Sequence, residues 1–189
     1  SLIERLTYQL SGGYVKLTGL GGTFPAHVTL DRLDLIDAHG IWLTAEHVML
    51  TWEPYALLTN TVRVDDLHVV RVHVERAPYS THPNDHISVP HIEVTRSVAE
   101  RVELGAALVG SPAALAVRAS FHMRSLEDAR SEFIARRLDG EGEYELHVAF
   151  DPARMDASLK LHEPAGGPLE HLLQLPGLGA LTANVQLAG

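Results

Sequence analysis

The sequence contains no cysteine, few aromatic residues and no long uncharged hydrophobic run. Without cysteine the chain cannot form disulfides, iron–sulfur clusters, cysteine-ligated zinc sites or a thiol nucleophile. The longest nearly uncharged stretch, residues 104–117, is interrupted by Ser111-Pro112 and is shorter than the roughly 20 residues of a transmembrane helix. Since the chain begins at Ser1 rather than Met, we expect it to be a fragment of a longer protein.

Positive charge is also scarce. The 189 residues include 15 Lys and Arg against 24 Asp and Glu, which gives a net charge of −9. No cluster of Lys or Arg interrupts this acidic background, so we predict no nucleic-acid partner. A hydrophobic fraction of 46% is ordinary for a folded protein, and the length suits one domain.

The hydrophobic pattern changes once along the chain. Residues 2–11 carry apolar side chains at helical spacing, and Gly12-Gly13 ends that helix. After Tyr14 the apolar period becomes two, and strand–turn–strand units recur every ten to fifteen residues, which is typical of a meander, barrel or stacked sheet. We therefore predict one mainly β unit, residues 1–189, with an N-terminal helix at 1–13 and a β-rich part at 14–189.

This β-rich part is expected to contain nine or ten strands and one or two short helices. The clearest predicted strands are residues 14–20, 26–36, 41–52, 61–76, 92–95, 98–108, 114–123, 144–148 and 181–187. The predicted short helices are residues 54–58 and 169–175. Residues 125–138 fit either a helix with a capping box or the first strand of a hairpin.

Two strands contain a change in the phase of their apolar residues. Val28 and Leu30 share one parity, whereas Leu33 and Leu35 share the other. Because a one-residue shift turns every side chain to the opposite face, a bulge near Asp31-Arg32 is the simplest explanation. Asp65-Asp66 marks another possible bulge.

Catalytic signatures are missing from the sequence. It has no Gly-x-Ser-x-Gly, His-Glu-x-x-His or Walker motif. His82, His86 and His91 cluster in a proline-rich loop, but their spacing matches no established metal site. A metal enzyme built on this loop stays an alternative hypothesis, and we predict a protein that is not an enzyme and holds no metal or cofactor.

The alternation of apolar and polar residues is the most informative feature. Over residues 62–75, valines of one parity face charged residues of the other, and residues 15–18 and 92–95 repeat the pattern. An ordinary sandwich core, in which the apolar face meets a second sheet, explains such alternation. Such alternation usually marks a closed core, and an apolar face that stays open for a ligand is the alternative.

An ordered set of motifs distinguishes these alternatives. Three consecutive motifs come first: Val15-x-Leu17-x-Gly19-Leu20-x-Gly22-x-Phe24-Pro25, Leu33-x-Leu35-x-Asp37-x-x-Gly40-x-Trp42-Leu43, and Val48-x-Leu50-x-Trp52-x-Pro54-x-Ala56-Leu57-Leu58. The part from Asp37 to Leu58 carries most of the weight. Later motifs are Val89-Pro90-x-Ile92-x-Val94, Glu163-Pro164-x-Gly166-Gly167-Pro168-Leu169 and Leu175-Pro176-Gly177-Leu178. In this order they resemble the N-terminal periplasmic part of the TamB family, the translocation and assembly module subunits of Gram-negative bacteria, over essentially the whole chain.

The resemblance implies a fold and a function. TamB-like proteins belong with the AsmA-like and bridge-like lipid-transfer proteins, and their long antiparallel sheet curls into an open groove, the β-taco, that shields lipid acyl chains. It implies a periplasmic location, an inner-membrane anchor and a TamA-binding C-terminal domain that both lie outside this chain, and phospholipid as the partner. The candidate groove-lining residues are Val15, Leu17, Val28, Leu30, Leu33, Leu35, Val48, Leu50, Val62, Val64, Val70, Val72, Val74, Ile92 and Val94. The alternative is a scaffold that assists outer-membrane protein assembly together with TamA.

Overall fold

A single ten-stranded sheet dominates the structure. The computed structural model describes residues 2–79, 91–125, 128–172, 177 and 179–188. Within these residues every strand lies beside the strands that precede and follow it in the chain, from β1 at one edge to β10 at the other. The prediction of a mainly β protein with a helix at its start is therefore confirmed.

Most elements follow one another with short connections. The helices are α1 Leu2–Leu10, a 3-10 helix Pro54–Thr59, α2 Ala106–Val109 and α3 Pro168–Leu172. The strands are β1 Val15–Thr18, β2 His27–Asp37, β3 Gly40–Trp52, β4 Thr61–Val74, β5 His91–Leu104, β6 Ala113–Ser125, β7 Asp128–Arg137, β8 Glu143–Asp151, β9 Arg154–Glu163 and β10 Leu181–Ala188. The two long connections join β4 to β5 and β9 to β10.

The prediction of an entirely antiparallel sheet is wrong at one pair. β4 and β5 run parallel, with Thr61 opposite His91 and Val74 opposite Leu104. A parallel pair needs a connection that carries the chain back to the end where the first strand began. Residues 75–90 lie between the two strands in the chain, and this number of residues exceeds that of a hairpin turn.

The structure resolves one open assignment, shortens one predicted strand and adds one strand. Residues 128–137 form β7, paired on both sides, which selects the strand interpretation of this segment. The strand predicted for 98–108 ends at Leu104, because Gly105 leads into the short helix α2. β9 was not identified in the sequence, although its Leu159 and Leu161 alternate with Lys160 and His162.

The structure contains the predicted change in apolar parity within β2, but it does not arise from a bulge with an extra residue in one strand only. The register between β2 and β3 is the same on both sides of Asp31, and Asp31 and the opposite residue His47 are both left out of the pairing. His47 has a positive φ of 51°. Because both strands change phase at the same level, Leu30 and Leu33 pack against the same cluster of buried side chains.

β4 contains two phase changes. The bulge predicted at Asp65-Asp66 is confirmed, since Trp52 pairs with Val64 while Thr51 pairs with Asp66. Further along, Val70 is skipped in the pairing with both neighbouring strands. The apolar side of β4 therefore consists of Val62, Val64, Leu67, Val69, Val72 and Val74.

β5 repeats the spacing of β4 with an offset of 30 residues. Their pairing is in register throughout, and its gaps fall at equivalent positions. The matching positions of β5 are Ile92, Val94, Ser97, Ala99, Val102 and Leu104. Two adjacent strands thus change phase together and keep their apolar side chains on one side.

Helix α1 contacts β1, the first edge of the sheet. The backbone amide of Leu20 donates to the Glu4 carboxylate at 2.9 Å, which fixes the helix beside the strand. The structure describes the backbone of Leu2, Leu6 and Leu10 but not their side chains. No helix in the described ranges is both long and apolar enough to cross a membrane.

Gly19 lies against Asp31, the residue at which β2 changes phase, and this contact generates a stability prediction. Its φ is +70°, and a Cβ there would overlap the Asp31 carboxyl group. We expect Gly19→Ala to lower the free energy of unfolding by about 2 kcal/mol or more, because backbone strain and a steric clash add. Urea unfolding followed by circular dichroism measures it.

Gly179→Ala is the matched control. Gly179 has a nearly identical φ of +72°, but a Cβ there has open space around it. We expect this variant to lose only about 1 kcal/mol, the cost of the backbone alone. Equal losses in the two variants would contradict the close packing at Asp31.

Candidate functional site

Ladder pairing places opposite residues on the same side of a sheet, so the registers define two surfaces, which we call the apolar face and the polar face. The apolar face is the side that carries the cluster of Ala45, Val48 and Val69. One row of this face crosses β2 to β10 and contains Leu30, Val48, Val69, Ala99, Val117, Ala135, Tyr144, Leu161 and Ala183. The next row contains Val28, Leu50, Leu67, Ser97, Ala119, Phe133, Leu146, Leu159 and Val185.

The structure brings all but one of the sequence-predicted residues to this face. The exception is Val70, which was placed there by simple alternation from Val72 and Val74. The skipped position in β4 puts Val69 on the apolar face in its place, so the assignment of Val70 is wrong. The binding role of the other residues stays a prediction.

Several residues of the apolar face were missed in the sequence. Those in the second half of the sheet include Val117, Phe133, Leu146, Leu159 and Leu161. Strict alternation in β6, β8 and β9 was the signal that identifies them. Because residues 125–138 also fit a helix and β9 was not predicted, this alternation did not indicate a continuous apolar face in the second half of the chain.

The apolar face lacks a covering layer over most of the described chain. Its side chains are mostly half-buried, and no large side chain is fully buried. Leu146 is 37% exposed and Leu187 is 58% exposed, although both lie on this face. A second packed sheet would bury such side chains almost completely, so the sandwich interpretation does not describe these residues.

The accessible surface supports the same conclusion. The chain exposes 12092 Å², whereas a compact monomer of its 20.6 kDa mass would expose about 8,900 Å². The excess is what a single uncovered sheet produces, since both of its faces meet solvent. A continuous apolar surface that is left uncovered marks a ligand or interaction site in a folded protein.

Charged residues concentrate on the polar face. Ion pairs cross from strand to strand there, including Arg63 with Glu93 at 2.7 Å, Glu145 with Lys160 at 3.5 Å and Glu132 with His147 at 3.2 Å. The hydrogen bond from Arg63 lowers the pKa of Glu93. Such exposed pairs contribute little stability. Their charges keep the polar face hydrated and distinguish it from the apolar face.

One acid of the polar face is buried. Asp34 is 3% exposed, and it accepts hydrogen bonds from Arg32 Nε at 2.8 Å and from Thr44 Oγ1 at 2.8 Å. Thr44 lies directly opposite Asp34 in the ladder. These contacts satisfy the carboxylate, which explains how a charged group is accommodated between β2 and β3.

A second acid ties two connections together at the ends of β2 to β4. Asp37 accepts hydrogen bonds from both terminal nitrogens of Arg76, each at 2.6 Å, and from the backbone amide of Tyr79 at 2.8 Å. The Arg76 hydrogen bond, helped by the amides of Tyr79 and His39, holds the pKa of Asp37 well below its usual range. This contact anchors the start of the crossover to the β2–β3 turn.

At one end of β6 to β9, polar groups interrupt the apolar face. Glu163 is only 2% exposed and accepts hydrogen bonds from Tyr144 Oη and from the backbone amide of Leu169. Burial, with the Glu163 hydrogen bond, raises the pKa of Tyr144. Leu169 belongs to α3, so this carboxylate holds α3 over the end of the apolar face.

The histidine loop does not form a described metal site. His82 and His86 lie outside the described residues, whereas His91 begins β5 and is exposed. Among the residues that the structure describes, no cluster of three His, Asp or Glu side chains is arranged to hold a metal ion.

Comparison with known proteins identifies no relative. The sequence matches no protein-family model and no characterised protein, and the structure matches no solved structure.

The Asp37 contact generates a pH prediction. The pKa of Asp37 is lower in the folded protein than the value of about 3.9 in an unfolded chain. Its stabilising contribution is therefore present above about pH 4 and is lost as the pH falls below that value. We expect Asp37→Asn to unfold at lower temperature than the wild type at pH 7, with a difference that shrinks between about pH 4 and pH 2.

Asp65→Asn serves as the control for thermal unfolding across this pH range. Asp65 is an exposed bulge residue without an ion pair in the described part of the chain. We expect this variant to follow the wild type at every pH. A gap between wild type and Asp37→Asn that stays constant from pH 7 to pH 2 would refute the assignment.

Proposed function

We propose that this chain is a segment of a lipid-conducting bridge, and that its apolar face accommodates lipid acyl chains. The observation that carries the proposal is one continuous apolar surface across β2 to β10, without a covering layer over most of the described chain. No chemical step is required of any residue, since the apolar face only has to shield hydrocarbon from water.

Transfer energetics favour this role. Burying one CH₂ group contributes about 0.8 kcal/mol, so a 16-carbon chain exposed to water costs on the order of 10 kcal/mol. The central rows of the apolar face carry aliphatic and aromatic side chains, with small hydroxyls at Ser97 and Ser131. An acyl chain sliding over such rows meets few polar groups, and its head group stays in water.

The proposed shape is an open groove formed by curvature of this one sheet. β-Bulges increase the local twist and bend of strands, and they occur at similar levels in adjacent strands, at Asp65 of β4 and between Val94 and Ser97 of β5. A bend shared by neighbouring strands curls the sheet as a whole. The apolar face then lines the concave side.

Within this proposal the chain belongs to the TamB family, and the support is the ordered set of sequence motifs. The full-length protein would be tethered to the inner membrane and extend into the periplasm. Its anchor and its contact with TamA would both lie outside residues 1–189. Phospholipid is then the molecule that occupies the apolar face.

A scaffold for outer-membrane protein assembly is the second candidate function. The edge strand β10 favours it, because among the described residues β10 pairs with β9 alone and it is exposed along most of its length. An open edge offers backbone groups to a strand of another protein. This function predicts binding of unfolded barrel strands and indifference to lipid.

Four consecutive residues of β8 separate the two functions. Leu146 and Val148 lie on the apolar face, whereas Glu145 and His147 lie on the polar face. We expect Leu146→Gln/Val148→Gln to retain several-fold less phospholipid than the wild type, because two amides then interrupt the apolar track. Native mass spectrometry followed by solvent extraction measures the bound lipid.

The matched control is Glu145→Gln/His147→Gln, which introduces the same residue type on the other face. It should retain lipid at the wild-type level. Circular dichroism confirms that both double variants are folded. A folded wild-type chain that carries no lipid, together with binding of barrel-strand peptides, would replace the lipid function with the scaffold function.

A further inference from the structure

The chain that follows β9 lies at one end of the apolar face. We call residues 164–172 the rim segment; it contains α3. Glu163 has the same parity in β9 as Leu161, and Tyr144 lies opposite Leu161. Since Glu163 and Tyr144 both extend from the apolar face and Glu163 binds the backbone of Leu169, the rim segment lies over that face.

The anchor of the rim segment is closely packed. Both carboxylate oxygens of Glu163 accept from the Leu169 amide, at 3.2 and 3.1 Å. Gly167 lies against the Glu163 carboxyl group, and a Cβ at this position would overlap it. Gly167 and Pro168 are both buried. The carboxylate therefore fixes the start of α3 against β8 and β9.

The far side of the rim segment rests on α2, at the β5–β6 connection. A Cβ built on Gly110 would lie 2.9 Å from His171 Nδ1 and 3.4 Å from His171 Cβ. Val109 is 3% exposed beside this contact. Ala113, which lies opposite Leu104, is also buried. α2 and α3 together thus cover the end of the apolar face.

Nothing in the ladder holds α3 in this position. α3 is a five-residue helix, and in the described part of the chain it is held by its packing on α2 and by the hydrogen bonds of the Leu169 amide to Glu163. No strand pairing has to break for α3 to leave α2. The apolar face, by contrast, is fixed by ladder hydrogen bonds on both sides of every internal strand.

We infer that α3 is a gate over this end of the apolar face, closed by its contact with α2 and anchored by Glu163. The inference rests on the proposed lipid function. Acyl chains enter or leave the face of β6 to β9 at this end when α3 separates from α2. The Gly110–His171 contact is the part of the gate that opens, and Glu163 sets how readily it does so.

An engineered disulfide tests the gate, and the absence of native cysteine makes the pair unique. The Cβ separation of 3.4 Å between positions 110 and 171 is close to the usual 3.5–4.5 Å of a disulfide. In Gly110→Cys/His171→Cys, oxidation should lock α3 onto α2. We expect the locked protein to accept pyrene-labelled phosphatidylcholine from phosphatidylcholine vesicles about tenfold more slowly than the same protein after reduction.

The two single-cysteine variants control for the substitutions themselves, and their transfer rates should not respond to reductant. Glu163→Gln tests the gate in the opposite direction. It removes the charge that accepts from Leu169 and Tyr144, so we expect transfer several-fold faster than in the wild type. Glu145→Gln, on the polar face of β8, should leave the rate unchanged.

The outcomes separate the gate from the lipid function. Equal transfer rates for the locked and reduced forms, with lipid still bound, would overturn the gate and leave the lipid function intact. Absence of transfer and of bound lipid in the wild type as well would overturn both. Failure of the two cysteines to join on oxidation would overturn the α2–α3 contact on which the gate depends.

Discussion

A single sheet must keep one face apolar over ten strands, and this constraint governs the rest of the structure. Simple alternation fails whenever a strand bends, because each extra residue turns the following side chains to the other face. Here the neighbouring strands bend at the same level. Asp31 and His47 leave the pairing together, and β4 and β5 carry identical spacings. The apolar face therefore stays continuous.

The two faces place opposite demands on the sequence. On the polar face, cross-strand ion pairs satisfy the charges, and the buried Asp34 is held by Arg32 and Thr44. On the apolar face, most residues in the described ranges are covered by neighbouring side chains of the same sheet alone. Apart from a small buried cluster around Val48 and Val69, most large apolar side chains of this face are therefore only half-buried.

Local patterns in the sequence predicted most of the strands because alternation reports directly which face of a strand is apolar. The bulge at Asp65-Asp66 was predictable for the same reason. The parallel pairing of β4 with β5 was not, since it depends on where the crossover of residues 75–90 delivers the chain. Val70 was misplaced because its shift becomes visible only when the pairing with β3 and β5 is known.

The strand order, identical to the chain order, has a consequence for growth of the molecule. Each new strand needs only the edge of the strand before it, so a sheet of this type is extended without rearranging what already exists. Each addition lengthens the apolar surface by about 4.8 Å. The length of the apolar surface is therefore set by the number of strands in the sheet.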